Sequence, residues 1–496
     1  MPDKLQFTDE ELDQLTASLR ELAAKPETFL DRDSPQRALF SALRAELNRC
    51  VASIQKSAVR QRKVFTEASL PTAKQARSRA SHAHERACYM CNLPIQRPWP
   101  ENRAMCWICG STNEHYRTVR TSLFGQHAIV TGGRTGVGFE VVKRLLDFGA
   151  TVHVTTRFPY DAARRLSDAV GGSAAPSRLR IYGLDFRDLA AVRRFVERIQ
   201  SQFEPTILIN NAAQTVRRPT GFYRALAERE YRGYLPPGEG DAYVVDVDLH
   251  QSSDPGAALI DEKIEASKLS RHPKPKSLVA RVAQLFHATP QRATQLSKIS
   301  TSALLSQLPL LPGDVDDEQW LVADVETHEA DRRESNSWTQ TIEDVDPVEL
   351  IEVQCVNTIA PFLLTQGLFA GVSGTREKPK SVVNLAAAEG SFHLSHRRGT
   401  HPHTNMAKAA LNMLTRTIAH TFAQRHIYVN SVDPGWVSDQ RPYNEAVAAM
   451  TRGGVVPPLD YRDGAARVIH PIVLATSDSL HAFHGKLLRN YRVASW

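Results

Sequence analysis

His127-Ala-Ile-Val130, Thr131-Gly-Gly-Arg-Thr-Gly-Val-Gly138 and Phe139-Glu-Val-Val-Lys-Arg-Leu-Leu146 run on without a break, and their reading decides the fold. The first segment reads as a short buried strand, and the last as a helix. A glycine loop between strand and helix lets backbone amides approach a pyrophosphate at the positive helix end. A glycine trio alone is weak evidence. Here the flanking strand and helix supply the context it needs.

Working outward, further pieces follow in order. Thr151-Val-His-Val-Thr-Thr156 reads as a second strand, Leu184-Asp185 ends a third, and Ile207-Leu-Ile-Asn-Asn-Ala-Ala213 is a fourth. Asn357 falls in a helical stretch and Ser381-Val-Val-Asn-Leu385 is a fifth strand. Lys408 lies on a helix whose Met406, Ala410, Met413 and Phe422 recur at helical spacing, and Ile427 to Val432 leads into Asp433-Pro434-Gly435. Such alternation requires an α/β fold with a parallel sheet. The stretch 217–340 breaks the rhythm: it holds nine of the 28 prolines, a Lys-Pro-Lys cluster at 274–276 and an acidic run from Asp314 to Glu318. It reads as an insertion with long loops, helical at 257–268 and 278–288. No internal repeat is present.

This ordered set resembles the short-chain dehydrogenase/reductase superfamily over 119–216 and 341–496, about 250 residues with 217–340 set aside. The resemblance implies a Rossmann-type doubly wound parallel sheet. By it, Gly132, Gly136 and Gly138, with Thr135 and Val137 between, shape the pyrophosphate loop. Asp185 contacts adenine, Asn211 and Ala212 hold the fourth strand beside the cofactor, and Pro434-Gly435 belongs to the nicotinamide-side loop. A carboxylate after the second strand would bind the ribose diol of NAD and repel a 2′-phosphate. Thr156 and Arg157 stand there instead, and Arg134 lies in the glycine loop. Two guanidinium groups favour a phosphate, so NADP is expected, with NAD as the alternative.

The chemical end departs from the family. The slot of the serine that binds the substrate oxygen holds Ala387, and the slot of the proton-transferring tyrosine, four residues before Lys408, holds Thr404. Asp439 replaces a usual threonine after Pro434-Gly435, whereas the helper residues Asn357 and Lys408 remain. A tyrosine of reference pKa about 10 can be tuned toward neutrality by a neighbouring ammonium, but a threonine hydroxyl cannot. Losing an oxyanion donor alone costs about 3–4 kcal/mol of transition-state binding. Two replacements are weighed. His393, His396, His401 and His403 crowd the segment before Lys408, with His403 beside the empty tyrosine slot, and a histidine is a competent acid near pH 7. Tyr223, Tyr231 and Tyr234 enter with the insertion, where family members build a substrate cleft.

Toward the N-terminus, Cys88-Tyr-Met-Cys91 and Cys106-Trp-Ile-Cys109 are separated by fourteen residues. Two knuckles of this spacing present four thiolates to one tetrahedral metal, and zinc prefers such a set. With all four positions filled by cysteine, the zinc is structural. Asn92 and Gly110 directly follow the pairs, where a knuckle often needs a left-handed residue. The module spans 87–118. Region 1–86 reads as helical: Thr8 with Glu11 forms a capping box before Leu12, Leu15, Leu19 and Leu22, and Pro35 opens a second amphipathic run.

The chain has 496 residues and a net charge of +7, but the window 51–87 alone holds eight Lys/Arg against two Glu, so the basic character is local. That segment, with Tyr89, Trp99, Trp107 and Tyr116, is compatible with nucleic-acid contact. The plainer reading is a solvated linker, with the aromatics packing the small zinc core or docking the module on a protein partner or on the α/β domain. Six cysteines in this length exclude a disulfide-built secreted protein. No run of about 18 apolar residues suggests a membrane span, and the start lacks the order of a secretory signal, so a cytoplasmic location is expected. The resulting expectation is an NADP-binding protein, nominally an oxidoreductase, catalytically impaired and acting as a scaffold or sensor. The alternative is an active carbonyl or alcohol oxidoreductase using His403. Pairing of two copies through the Lys408 helix is a further expectation from the resemblance.

Overall fold

The computed structural model describes residues 87–170, 175–232, 244–246, 301–307, 310–311, 314, 331–393, 399–477 and 482–496, all within one unit, Arg86–Trp496. The helical reading of 1–86, the helices expected at 257–268 and 278–288, and Tyr234 and His396 lie outside the described residues.

Nine strands form one sheet: β1 (His127–Thr131), β2 (Thr151–Thr156), β3 (Leu179–Gly183), β4 (Ile207–Asn210), β5 (Val244–Asp246), β6 (Lys380–Leu385), β7 (Ile427–Asp433), β8 (Leu487–Arg489) and β9 (Arg492–Ala494). Their spatial order is β5-β3-β2-β1-β4-β6-β7-β8-β9, parallel throughout except for β9 against β8. The main helices are α1 (Trp107–Thr118), α2 (Gly136–Asp147), α3 (Pro159–Val170), α4 (Leu189–Gln202), α5 (Thr220–Arg232), α6 (Thr301–Leu305), α7 (Pro347–Gln354), α8 (Ala360–Phe369), α9 (Pro402–Ala423), α10 (Tyr443–Gly453) and α11 (Tyr461–Ser477).

Helices cover both faces of the sheet, so the strands are apolar on both sides. Successive residues of β1 point to opposite faces: Ala128 and Val130 join a core with Val141 and Leu145 of α2 and Ile469 of α11, whereas Ile129 joins one with Phe195 of α4 and Leu364 of α8. Burying each such large apolar side chain contributes about 1.5–3 kcal/mol, so a charge at Ile129 would disrupt the second core.

Three findings depart from the sequence reading. The 217–340 stretch is not only loops: it supplies α5, α6 and the edge strand β5, which pairs with β3. Met406 and Met413 of α9 face outward, 56% and 55% exposed, while the buried side of that helix runs through Ala407, Leu411, Thr415 and Phe422. Finally, Pro347–Phe369, in which a π-helical turn at Cys355–Ile359 joins α7 to α8, is long and apolar enough by length and composition to cross a membrane. Its Ala360, Leu364, Leu368 and Phe369 are buried in the second core, as in the core helix of a globular domain.

Candidate dinucleotide site and four-cysteine module

Gly132 and Gly136 adopt left-handed φ values of 68° and 64°. At Gly138 a Cβ would lie 2.4 Å from both Asn211 Nδ2 and the Gly132 carbonyl oxygen. Asn211 Nδ2 donates to the carbonyls of Thr131 (2.8 Å) and Gly132 (3.0 Å), and the amides of Asn211 and Ala212 donate to Thr131 Oγ1 (3.0 and 2.9 Å). The ends of β1 and β4 are thereby locked together, at the crevice where the strand order reverses. Helix α2 begins there at Gly136, and Thr135 makes no side-chain cap, which leaves the first-turn amides of Gly136, Val137 and Gly138 for an anion.

A cavity of about 320 Å³ opens beside this loop, lined by Gly132, Arg134, Thr135, Arg157, Asp185, Asn211 and Ala212 among others. The two arginines differ. Arg134 is committed to Asp161 at 2.7 Å, a carboxylate that Arg165 also holds at 2.7 Å. Burial opposes ionisation of Asp161, yet these guanidinium groups keep its carboxyl below the usual range. Arg157 instead donates to Tyr223 Oη (2.9 Å) and lies over the Tyr223 ring, with no carboxylate in ion-pairing reach among the described residues. The argument from two arginines therefore narrows to Arg157. Tyr223, expected at a substrate cleft, sits beside this arginine in the wall of the cavity. Asp185 lines the same cavity, but its carboxylate is engaged by Arg187 through Nη2 (2.7 Å), Nε (3.1 Å) and the backbone amide (2.9 Å). Arg187 in turn reaches Glu352 on α7 at 3.0 Å.

At the chemical end, Asn357 sits in the π-helical turn, where Oδ1 accepts from the Gln214 amide (2.7 Å) and Nδ2 donates to the Gln214 carbonyl (3.0 Å). Lys408 Nζ donates to the Leu385 carbonyl at 2.7 Å, and burial pushes its ammonium down to about 8. Thr404 is buried, and its Oγ1 has no hydrogen-bond partner. The placing of His403 corrects its expected role. The ring is 1% exposed, is not among the cavity-lining residues, and turns Nε2 toward Glu349 at 3.6 Å. Glu349 also accepts from Ser337, so His403 belongs to a buried polar cluster between α9 and α7. His401 stacks on Trp338 and bonds its carbonyl at 2.8 Å, fixing the entry to α9.

The four cysteine sulfurs lie within 4.8 Å of one another, with Cys91 and Cys106 at 3.9 Å. Tetrahedral thiolates about 2.3 Å from a zinc ion stand about 3.8 Å apart, so the donor set fits. The Cys106 amide donates to Cys88 Sγ at 3.3 Å; burial works against ionisation of Cys88, but such amides bring its thiol down to about 7. Asn92 is left-handed, as the knuckle reading expects. Gly110 is not: it lies within α1, and glycine is required because a Cβ would meet Trp99 Cγ at 2.2 Å. The module packs on the α/β domain. Asn113 and Arg117 bond Asp463 at 2.7 Å each, Tyr116 stacks on Tyr491, and Leu459 joins Cys88, Met105 and Cys109 in one apolar cluster. Sequence reasoning missed Tyr89 at this seam, where its hydroxyl accepts the Trp436 amide (2.7 Å) directly after Pro434-Gly435. No local pattern marks a contact 347 residues apart.

Several known proteins are similar to this chain. The short chain dehydrogenase family matches residues 126–230 and the enoyl-(acyl carrier protein) reductase family matches 317–450. An uncharacterized protein of Acanthamoeba polyphaga mimivirus is 27% identical over 403 residues, 78% of this chain and 71% of that protein. A tropinone reductase homologue of Arabidopsis thaliana is 36% identical over 104 residues, 20% of this chain and 31% of the relative. Among solved structures, a short chain dehydrogenase from Burkholderia cenocepacia in complex with NADP aligns with a TM-score of 0.42 and 18% identity, over 74% of this chain and 97% of the other. The two matched segments are thus similar to short-chain dehydrogenase and enoyl-(acyl carrier protein) reductase families, and the first contains the glycine loop.

Proposed function

We propose that the chain binds NADP across the C-terminal edge of its sheet and acts as a dinucleotide-bound scaffold or sensor, with a structural zinc in the four-cysteine module. One contrast carries this reading. The glycine loop and Arg157 line one cavity, while the chemical half holds Ala387 and a buried Thr404 whose hydroxyl has no partner among the described residues. When bound, the nicotinamide would supply hydride chemistry. The chain's own residues bind and orient it, but the described residues offer no tyrosine-like acid beside Lys408. The burial of His403 beside Glu349 favours this reading over an oxidoreductase that uses His403 as its acid. Zinc held by four thiolates has no open position and does no chemistry. Tyr89, Trp99 and Tyr116 turn into the module or onto the α/β domain, which favours the packing role of these aromatics over nucleic-acid stacking.

The test is to denature purified protein, identify released nucleotide and metal by mass spectrometry, and offer NADPH with a panel of carbonyl compounds. The expected result is NADP and one zinc per chain with no oxidation of NADPH. Turnover on any carbonyl overturns the scaffold role, and an empty protein that fails to bind added NADPH overturns the dinucleotide reading.

A further inference from the structure

We infer that the four-cysteine module is a metal-dependent clamp on the nicotinamide-side loop, with Tyr89 as the residue that positions that loop for dinucleotide binding. The inference rests on the dinucleotide reading above and goes beyond it by coupling the two sites. Tyr89 lies inside the first knuckle, between Cys88 and Cys91, so its backbone is set by the two ligands that flank it. Its hydroxyl accepts the amide of Trp436, and a Cβ on Gly435 would stand 3.0 Å from the same oxygen and 2.5 Å from Leu459 Cδ1. Gly435 is left-handed at φ 85°, which favours glycine, and the close cover leaves no room for a side chain there. The module also bonds the connection between α10 and α11, whose Leu459 packs on Gly435: Asn102 Nδ2 donates to the Pro458 carbonyl (2.5 Å).

Helix α11 joins the loop to the pyrophosphate helix through Gly464. A Cβ on Gly464 would meet Val137 at 2.8 Å, Val437 at 3.2 Å and Pro434 at 3.6 Å, so module, loop and glycine loop share one packed seam. In a doubly wound sheet the adenosine half of a dinucleotide lies over β2 and β3, and the nicotinamide half over β6 and β7. Pro434-Gly435 follows β7, so the loop that Tyr89 bonds lies on the nicotinamide side. The module's apolar cluster is small and includes all four cysteines, hence metal binding is folding energy for the surface that carries Tyr89. Linkage then requires the reciprocal effect: a bound nicotinamide must tighten the metal.

Two measurements on the full chain test this. Calorimetric titration of Tyr89→Phe is expected to weaken NADPH by about 3- to 10-fold, the worth of one hydrogen bond, while 2′,5′-ADP binds as to the unmodified chain and one zinc is retained. On the unmodified chain, which needs no variant to fold, NADPH is expected to slow zinc release to a chromogenic chelator and 2′,5′-ADP to leave it unchanged. Zinc release indifferent to NADPH overturns the clamp, as does Tyr89→Phe weakening both ligands alike or neither. If the unmodified chain binds neither ligand, the dinucleotide reading falls, and the clamp with it; binding without coupling overturns the clamp alone.

Discussion

Arg157 and Arg134 both face the cavity, but their surroundings divide the work between them. Arg134 neutralises Asp161, whose side chain is wholly buried, whereas Arg157 bonds the Tyr223 phenol, lies over its ring and has no carboxylate in ion-pairing reach among the described residues. A charge-assisted hydrogen bond to a phosphate is worth about 1.5–3 kcal/mol, so Arg157→Ala should lower the preference for NADPH over NADH by about 10- to 100-fold in paired titrations. Arg134→Ala should act mainly on stability, lowering it by about 1–3 kcal/mol in urea unfolding, because it strips one partner from a buried carboxylate. Equal loss of selectivity in both variants would return the phosphate site to the pair. Lys408 poses a separate question of charge. Unfolded, its ammonium persists to about 10.5, but in the fold burial brings it down to about 8. Below pH 8 both states hold the proton and the folded chain bears the cost of burying it. From about pH 8 to about 10.5 the folded chain binds fewer protons, so stability rises with pH. Lys408→Met should be more stable than the parent at pH 7, with the gap closing by pH 10. A gap that stays constant would show that Lys408 is not desolvated.

At the level of elements, α5 caps α3. Glu230 of α5 accepts the amides of Tyr160 (3.2 Å) and Asp161 (2.8 Å) in the first turn of α3, next to Arg134. Burial raises its carboxyl to about 8, so the folded chain keeps a proton that the unfolded chain releases near 4.5. Stability from this group is full below about pH 4.5 and is lost as pH rises through 8. Glu230→Gln, which retains an acceptor, should remove that fall, and Glu230→Ala should cost about 0.5–2 kcal/mol through the lost cap, both read from Tm between pH 5 and 8. A Gln variant that follows the parent at every pH would reassign the slope to another group. None of this was legible in the sequence, since Glu230 lies 69 residues from the amide it caps. The six strands from His127 to Val432 could be read, because each is an apolar run bounded by loop residues. Strands β5, β8 and β9 have three residues each, too short to show a period, and exist only through their neighbours in the sheet. At the site, the cysteine spacing was legible from the residues themselves, whereas the roles of Gly132 and Asn211 came through the family resemblance. The partners of Arg134, Asp185 and His403 were not legible, because they are chosen by tertiary packing.

For the whole molecule, the outward sides of α7, the π-helical turn and α9 raise the question of what covers them. The two helical stretches pack together, Thr358 Oγ1 donating to the Ala407 carbonyl at 3.2 Å and Gln354 Nε2 to that of His403 at 3.4 Å. Beyond that contact they leave Ile351, Ile359, Met406 and Met413 exposed, apolar side chains from two adjacent elements rather than scattered singly. A contiguous apolar face of this kind marks an interaction surface, and a face made by a helix pair can meet its own copy about a two-fold axis. The described part of 217–340 leaves these four side chains uncovered. A homodimer built on this face should sediment at twice the chain mass, and Met406→Lys with Met413→Lys should reduce it to the monomer. Both positions already face outward, so Tm should move by no more than a few degrees once dissociation is allowed for. If the parent sediments as a monomer across the micromolar range, the face is not a self-interface. If the double variant stays dimeric, two copies meet elsewhere. In either case the apolar helix Pro347–Phe369 would need a different partner for its outer side, because its inner side is already filled by the sheet.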